Sequence, residues 1–229
     1  ATAGKTAGAA TGNTENAVGF LQAIEGLPVG SSARQGMVRD NRFYHSDMQF
    51  TLAFPRGWQI VNEPEKIVAI GPDKEHYLEI RNQPPPADVT DPRNFAMRGL
   101  ANRRLDQTET LDINGLKGWT GVVHGDPSPF GQSTNVRYIV VYYANLMWIF
   151  KGASRTGATA PSGDPFFLST ANTFRRMRPN EFALAEPYRL HVLRATEGTT
   201  IESLAKEAQV KKYPAQQLRL FNGLYPDGE

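Results

Sequence analysis

Between Phe43 and Phe54 the side chains change character at every second residue: Met48, Phe50, Leu52 and Phe54 alternate with Gln49, Thr51 and Ala53. A strand puts successive side chains on opposite faces, so this segment reads as a strand with one face buried. Pro55-Arg56-Gly57 then turns the chain, and further strands are predicted over 58–62, 67–70 and 76–81, divided by turn residues such as Gly71-Pro72-Asp73. Links this short join antiparallel neighbours, which predicts an antiparallel meander.

Pro84-Pro85-Pro86 cannot donate ladder hydrogen bonds, so the meander pauses there. Asp91-Pro92 opens a helix that turns Phe95, Leu100, Met97 and Leu105 inward. Strands return over 108–113, turn through Asn114-Gly115, and continue over 117–124, 137–143 and 146–151. A last helix is predicted over 165–176, carrying Phe166, Phe167, Leu168 and Phe174. Residues 43–178 are therefore expected to form one α+β domain, an antiparallel sheet with packed helices.

At 229 residues the chain has room for more than this domain. Residues 1–16 are mostly Ala, Gly and Thr, too poor in large apolar groups to offset their ordering entropy, and read as a flexible tail. In 17–42, Ala17, Phe20, Leu21 and Ile24 recur at helical spacing before Gly26, giving a short helix and an extended connector. Residues 179–187 read as a linker ending at Pro187. In 188–229 a strand over 190–193 precedes a helix capped by Thr199 or Thr200 and a second helix after Pro214.

The chemistry of the chain is defined mainly by missing constellations. A net charge of +2 with dispersed basic residues argues against a nucleic-acid surface, and the densest cluster, Arg175, Arg176 and Arg178, reads as a solvated helix end. Without cysteine there is no disulfide, thiolate zinc site or cysteine nucleophile. No apolar run approaches the ~20 residues of a bilayer-spanning helix. His45, His76, His124 and His191 include no pair one helical turn apart, as a zinc-binding helix requires. Neither a Gly-x-Ser-x-Gly elbow nor a glycine-rich phosphate loop occurs. Trp58, Trp119, Tyr138, Tyr142, Tyr143 and Trp148 fall on strands and read as core, with Tyr142 and Tyr143 pointing to opposite faces.

The run Phe20-Leu21-Gln22-Ala23-Ile24-Glu25-Gly26-Leu27, followed by Gly30, Gln35-Gly36-Met37-Val38-Arg39, Phe43-Tyr44-His45 and Phe54-Pro55-Arg56-Gly57-Trp58, resembles a known arrangement. It is similar to the region after the peptidase domain in bacterial secreted or lipoprotein members of the HExxH zinc metallopeptidase family that includes the CAAX prenyl proteases. The segment from Phe50 to Trp58 also resembles the opening of PsbP-like domains, where a strand meets a Pro-x-Gly-Trp turn. The final stretch resembles a LysM domain, a βααβ fold that binds N-acetylglucosamine polymers. Tyr188 and Val192 match its first strand, Gly198-Thr199-Thr200-Ile201 its Gly-Asp-Thr-Leu turn, Ser203-Leu204-Ala205 its helix, and Leu220, Asn222 and Leu224 its later positions. Thr199 replaces the usual Asp, and the sequence ends at Glu229 before the second strand, which implies a truncated βαα module with one strand edge unpaired.

These resemblances imply a piece of a longer polypeptide, whose HExxH helix would lie upstream of Ala1 and hold zinc there. The chain itself is expected to have no peptidase activity, cofactor or metal. Its expected partners are the upstream peptidase domain, met through Phe20, Leu21, Ile24 and Leu27, and peptidoglycan or envelope proteins. Gly198, Thr199, Thr200, Ile201 and Asn222 are the candidate glycan-binding residues, and the periplasm or cell envelope is the expected location. The competing expectation is a free-standing envelope protein that binds a ligand or protein without a peptidase.

Overall fold

A computed structural model describes residues 14–29, 36–208 and 213–224. The chain divides into two compact units, Ala1–Gly30 with Tyr188–Glu229, and Ser31–Pro187. Of the expected tail, residues 1–13 lie outside the described residues, as do 30–35 of the connector and 209–212 and 225–229 of the C-terminal module.

The smaller unit opens with α1 (Thr14–Ile24), and Gly26 takes the left-handed φ of +75° that ends a helix without a Cβ penalty. The chain then extends as β1 (Pro28–Val29).

In the larger unit, β2 (Met37–Arg39), β3 (Arg42–His45) and β4 (Phe50–Ala53) form consecutive antiparallel pairs. The first of these strands lies in the stretch read as connector. Next come β5 (Gln59–Glu63), β6 (Lys66–Ile70) and β7 (His76–Gln83). Helix α2 (Pro92–Gly99) starts where Asp91 accepts the Asn94 N–H at 2.9 Å, with Pro92 in a position that needs no hydrogen-bond donor. The long strands β8 (Leu105–Ile113), β9 (Leu116–Ser128), β10 (Gly131–Tyr143) and β11 (Leu146–Ser154) follow. Asn114 and Gly115 both have positive φ in the β8–β9 turn, as a tight two-residue hairpin requires. The unit closes with α3 (Asp164–Asn172), β12 (Arg175–Arg176), a 3-10 turn (Pro179–Glu181) and α4 (Phe182–Ala185).

Two antiparallel sheets result. The larger has the order β5-β6-β7-β11-β10-β9-β8 and the smaller β12-β4-β3-β2. Phe43, Phe50 and Leu52 from the smaller sheet meet Leu78, Ile80, Ile139, Trp148 and Phe150 from the larger, with Phe167 and Phe174 closing the core. Gly152 is needed here, because a Cβ would clash with the Phe167 ring. On the far face of the larger sheet Ala96 of α2 covers Trp119, Val140 and Met147. On the far face of the smaller one α4 and its approach pack Ala185, Phe182 and Met177 on Tyr44. Alternation sends Tyr143 to the inner core and Tyr142 to the outer cluster, as the sequence predicts.

Four expectations need correction. The strand expected over 190–193 lies instead at Tyr188–Arg189, and Thr14, Glu15 and Asn16 of the expected tail begin α1. The helix predicted over 165–176 stops at Asn172, and Arg175 and Arg176 pair with Thr51 and Phe50 as a strand instead of forming a helix end. Thr173 sets this change, since its Oγ1 accepts the Ala53 N–H at 2.7 Å and ties the end of α3 to β4. The stretch read as a linker is helical over most of its length and buries Ala185, while Arg39 donates to the carbonyls of Leu184 and Glu186 at 3.1 and 2.7 Å.

The smaller unit resumes with β13 (Tyr188–Arg189), which pairs antiparallel with Pro28–Val29. The edge expected to be unpaired is therefore covered by the segment after α1. Glu25 reinforces the join, accepting the Val192 N–H at 2.6 Å and lying 2.7 Å from the His191 Nδ1. Helices α5 (Ile201–Glu207) and α6 (Pro214–Phe221) complete the unit.

Candidate functional site

His45 and Phe50 face each other across the β3–β4 pair, and their rings stack at 5.6 Å. Phe50 in turn packs on Trp148 of β11 at 4.3 Å, so one aromatic run passes from the smaller sheet to the larger. Beside it opens a cleft of about 560 Å³, lined by His45, Phe43, Phe50 and Trp148 together with the β5–β6 turn and the ends of β7 and β11. That volume lies in the size range of small-ligand sites.

His45 and Trp148 each leave one ring N–H without an acceptor among the described residues. The Met48 N–H donates to His45 Nδ1 at 3.3 Å, which leaves the neutral ring's proton on Nε2. Burial holds the imidazole below its ordinary pKa, against a weaker opposing pull from Asp47, and favours this neutral form. Trp148 is 3% exposed, and its indole Nε1–H is buried without an acceptor among the described residues.

Charges along the cleft balance, with Glu63, Glu65 and Glu79 against Lys66, Arg81 and Lys151. Burial works to raise the Glu79 carboxyl, but hydrogen bonds from Arg81 at 2.6 Å and Tyr77 at 2.9 Å outweigh it, and its pKa falls below the ordinary value. Lys151 meets the buried Asp126 at 2.9 Å, and Tyr138 donates to the same carboxylate at 2.8 Å. The rim cations thus have partners within the protein.

The remaining histidines are engaged elsewhere. His76 Nδ1 lies 3.0 Å from Ser154 Oγ, and its Nε2 lies 3.7 Å from Asp73. This has the membership of a hydrolytic triad, yet Ser154 is 4% exposed and its Oγ accepts the Gly163 N–H at the start of α3. The arrangement pins a helix end. His124 Nδ1 lies 2.9 Å from Asn135, and His191 faces Glu25. Among the described residues no group of three or more acidic or histidine side chains is placed to hold a metal, and no helix is long and apolar enough to cross a membrane.

The candidate glycan residues divide by role. Gly198 has φ of +82° in the turn before α5, and Thr199 Oγ1 accepts the Thr196 N–H at 3.0 Å. Thr200 caps α5 by accepting the Ser203 N–H at 3.1 Å, while Ile201 is buried. Asn222 ends α6 and donates back to Leu218 O at 2.8 Å. Of the candidate docking residues, Phe20 is 64%, Leu27 46% and Leu21 40% exposed, and Ile24 is half-buried. The sequence marks Trp148 as a core aromatic and assigns His45 no role. Only the approach of β3 to β11 brings them to one cleft.

A comparison with protein-family models finds no match, and one with curated proteins finds none. Among solved structures, the chain is similar to the solution structure of cyanobacterial PsbP (CyanoP) from Synechocystis sp. PCC 6803. The identity is 16% and the TM-score 0.43, over 65% of this chain and 98% of that one. The α+β assignment rests on this chain's own antiparallel sheets and helices.

Proposed function

We propose that this chain is a non-catalytic accessory region of a cell-envelope zinc metallopeptidase, located in the periplasm or on an envelope lipoprotein, which binds and positions partners for that enzyme. The supporting observation is the apolar surface of α1 and the turn after it. Phe20, Leu21 and Leu27 remain substantially exposed, and large apolar groups left in water on one short segment mark a contact surface. The sequence resemblance supplies the occupant, the upstream peptidase domain with its own zinc. In this reading the C-terminal module holds peptidoglycan through the turn around Gly198 and Thr200, and the sheet unit receives an envelope protein.

The test compares the parent peptidase with and without this region on a folded envelope protein and on a short peptide. The expected result is a loss of rate on the folded substrate alone when the region is removed. Equal rates on both substrates would overturn the accessory role.

A further inference from the structure

The dipeptide Asn-Gly occurs twice in the chain, at Asn114-Gly115 and at Asn222-Gly223. It is chemically labile, because glycine has no Cβ to shield its backbone nitrogen, and that nitrogen can reach the preceding side-chain amide. In the reaction a bond forms from the glycine N to the Asn Cγ, the Cγ–Nδ2 bond breaks, and the glycine proton leaves with the amide nitrogen as ammonia. Water then opens the succinimide to aspartate, or to isoaspartate, whose main chain runs through the side-chain carboxyl carbon. A fold slows this by holding the nucleophile and the leaving group.

Both are held at Asn114. Its Nδ2 donates to Asn172 O and to Phe174 O, each at 2.9 Å, which commits both amide protons. The Gly115 N–H donates to the Asp112 carboxylate at 2.8 Å. Asn222 is held more loosely. Its Nδ2 makes one hydrogen bond among the described residues, to Leu218 O at 2.8 Å. The Gly223 N–H donates to Leu220 O at 3.2 Å and the Leu224 N–H to Arg219 O at 2.7 Å, with Gly223 at φ of +68°. This is a Schellman end to α6, and an exposed helix end opens far more readily than a sheet.

We propose that Asn222-Gly223 is a self-modification site of the folded chain, with water as co-reactant, and that Asn114-Gly115 is the same dipeptide kept inert by its hydrogen bonds. The product puts a carboxylate at the negative end of the α6 dipole, where it is disfavoured, and removes the donor to Leu218 O. The isoaspartyl form also lengthens the main chain before Gly223, which takes the Gly223 and Leu224 N–H groups out of register with Leu220 O and Arg219 O. The end of α6 therefore opens irreversibly as the chain ages, independently of docking through α1.

The intact chain is incubated in mildly alkaline buffer, native and in urea, and sampled over time. Trypsin places the two sites in separate peptides, 105–117 and 220–229, and mass spectrometry reads the gain on exchanging an amide for a carboxyl. In the native chain 220–229 is expected to convert about tenfold faster than 105–117 or more, while urea brings the two rates together. Asp112→Ala, which frees the Gly115 N–H, should speed conversion at Asn114 and leave Asn222 unchanged. Hydrogen exchange at the Leu224 amide should rise in the converted chain. Equal native rates at the two sites, or no native conversion at Asn222 in the time that urea converts it, would overturn the proposal. An Asn114 rate that Asp112→Ala leaves unchanged would overturn the assigned protection, and unaltered Leu224 exchange would overturn the opening of α6.

Discussion

Arg137 carries a full charge at 4% exposure, so its surroundings must replace the water it has lost. Its Nε donates to Asp164 at 3.1 Å, Nη1 to Gln107 O at 3.2 Å and Nη2 to Gln107 Oε1 at 2.7 Å. Removing the cation alone strands the Asp164 carboxylate, and Arg137→Met is expected to lower stability by about 3–5 kcal/mol in chemical denaturation. Replacing Asp164 by Leu in the same chain should recover much of that loss, since a buried pair exchanged for apolar groups is often neutral. A second ion pair sets an acid dependence. The Arg175 guanidinium, 2.6 Å away, holds the Glu181 carboxyl down at about 2 from a usual 4.5, outweighing burial and helped by the Arg178 N–H. A depressed carboxylate stabilises the fold above its unfolded pKa and loses that contribution as pH falls through the folded one. The stability gap between the wild type and Glu181→Gln should therefore be full above pH 4.5 and close as pH drops towards about 2.

At the scale of elements, the meander from β3 to β7 and the hairpins of β8 to β11 follow from signals within a few residues of each other. Alternation in 48–54 and the Asn114-Gly115 turn are such signals, and both stand in the structure. The stretch after α3 lacked one. Phe166, Phe167 and Phe174 continue a helical spacing past Asn172, and only the distant bond from Ala53 to Thr173 and the pairing of Arg175 with Thr51 turn it into a strand. The 179–187 segment departs from its expectation for a related reason. Its polar, proline-bounded composition is that of a linker, while Ala185 and Phe182 are held by Tyr44 and Met177 from elsewhere in the chain. Limited proteolysis should consequently spare 179–187 under conditions where the sheet unit stays folded, because cleavage needs local opening of a helical segment anchored through Ala185 and Phe182. Early cutting there would contradict the packing described.

Across the whole molecule, what the sequence could not convey is which distant segments meet. The β1–β13 pair joins the segment after α1 to the start of the C-terminal module, and the bond between Glu25 and His191 spans 166 residues. The cleft is likewise built from β3 and β11, so His45 and Trp148 were visible as residues and invisible as a site. Phe20 and Leu21 are legible as one side of a short helix, with Leu27 just beyond its Gly26 cap, but their exposure is a finding of the structure. The central claim is that this surface docks onto a peptidase domain. The most direct measurement is calorimetric titration of the intact chain into the catalytic domain of the parent enzyme, with Phe20→Ser/Leu27→Ser alongside. Binding is expected with a negative heat-capacity change from apolar burial, weakened about tenfold or more in the double variant. No binding by the wild-type chain, or equal binding by the variant, would contradict the account.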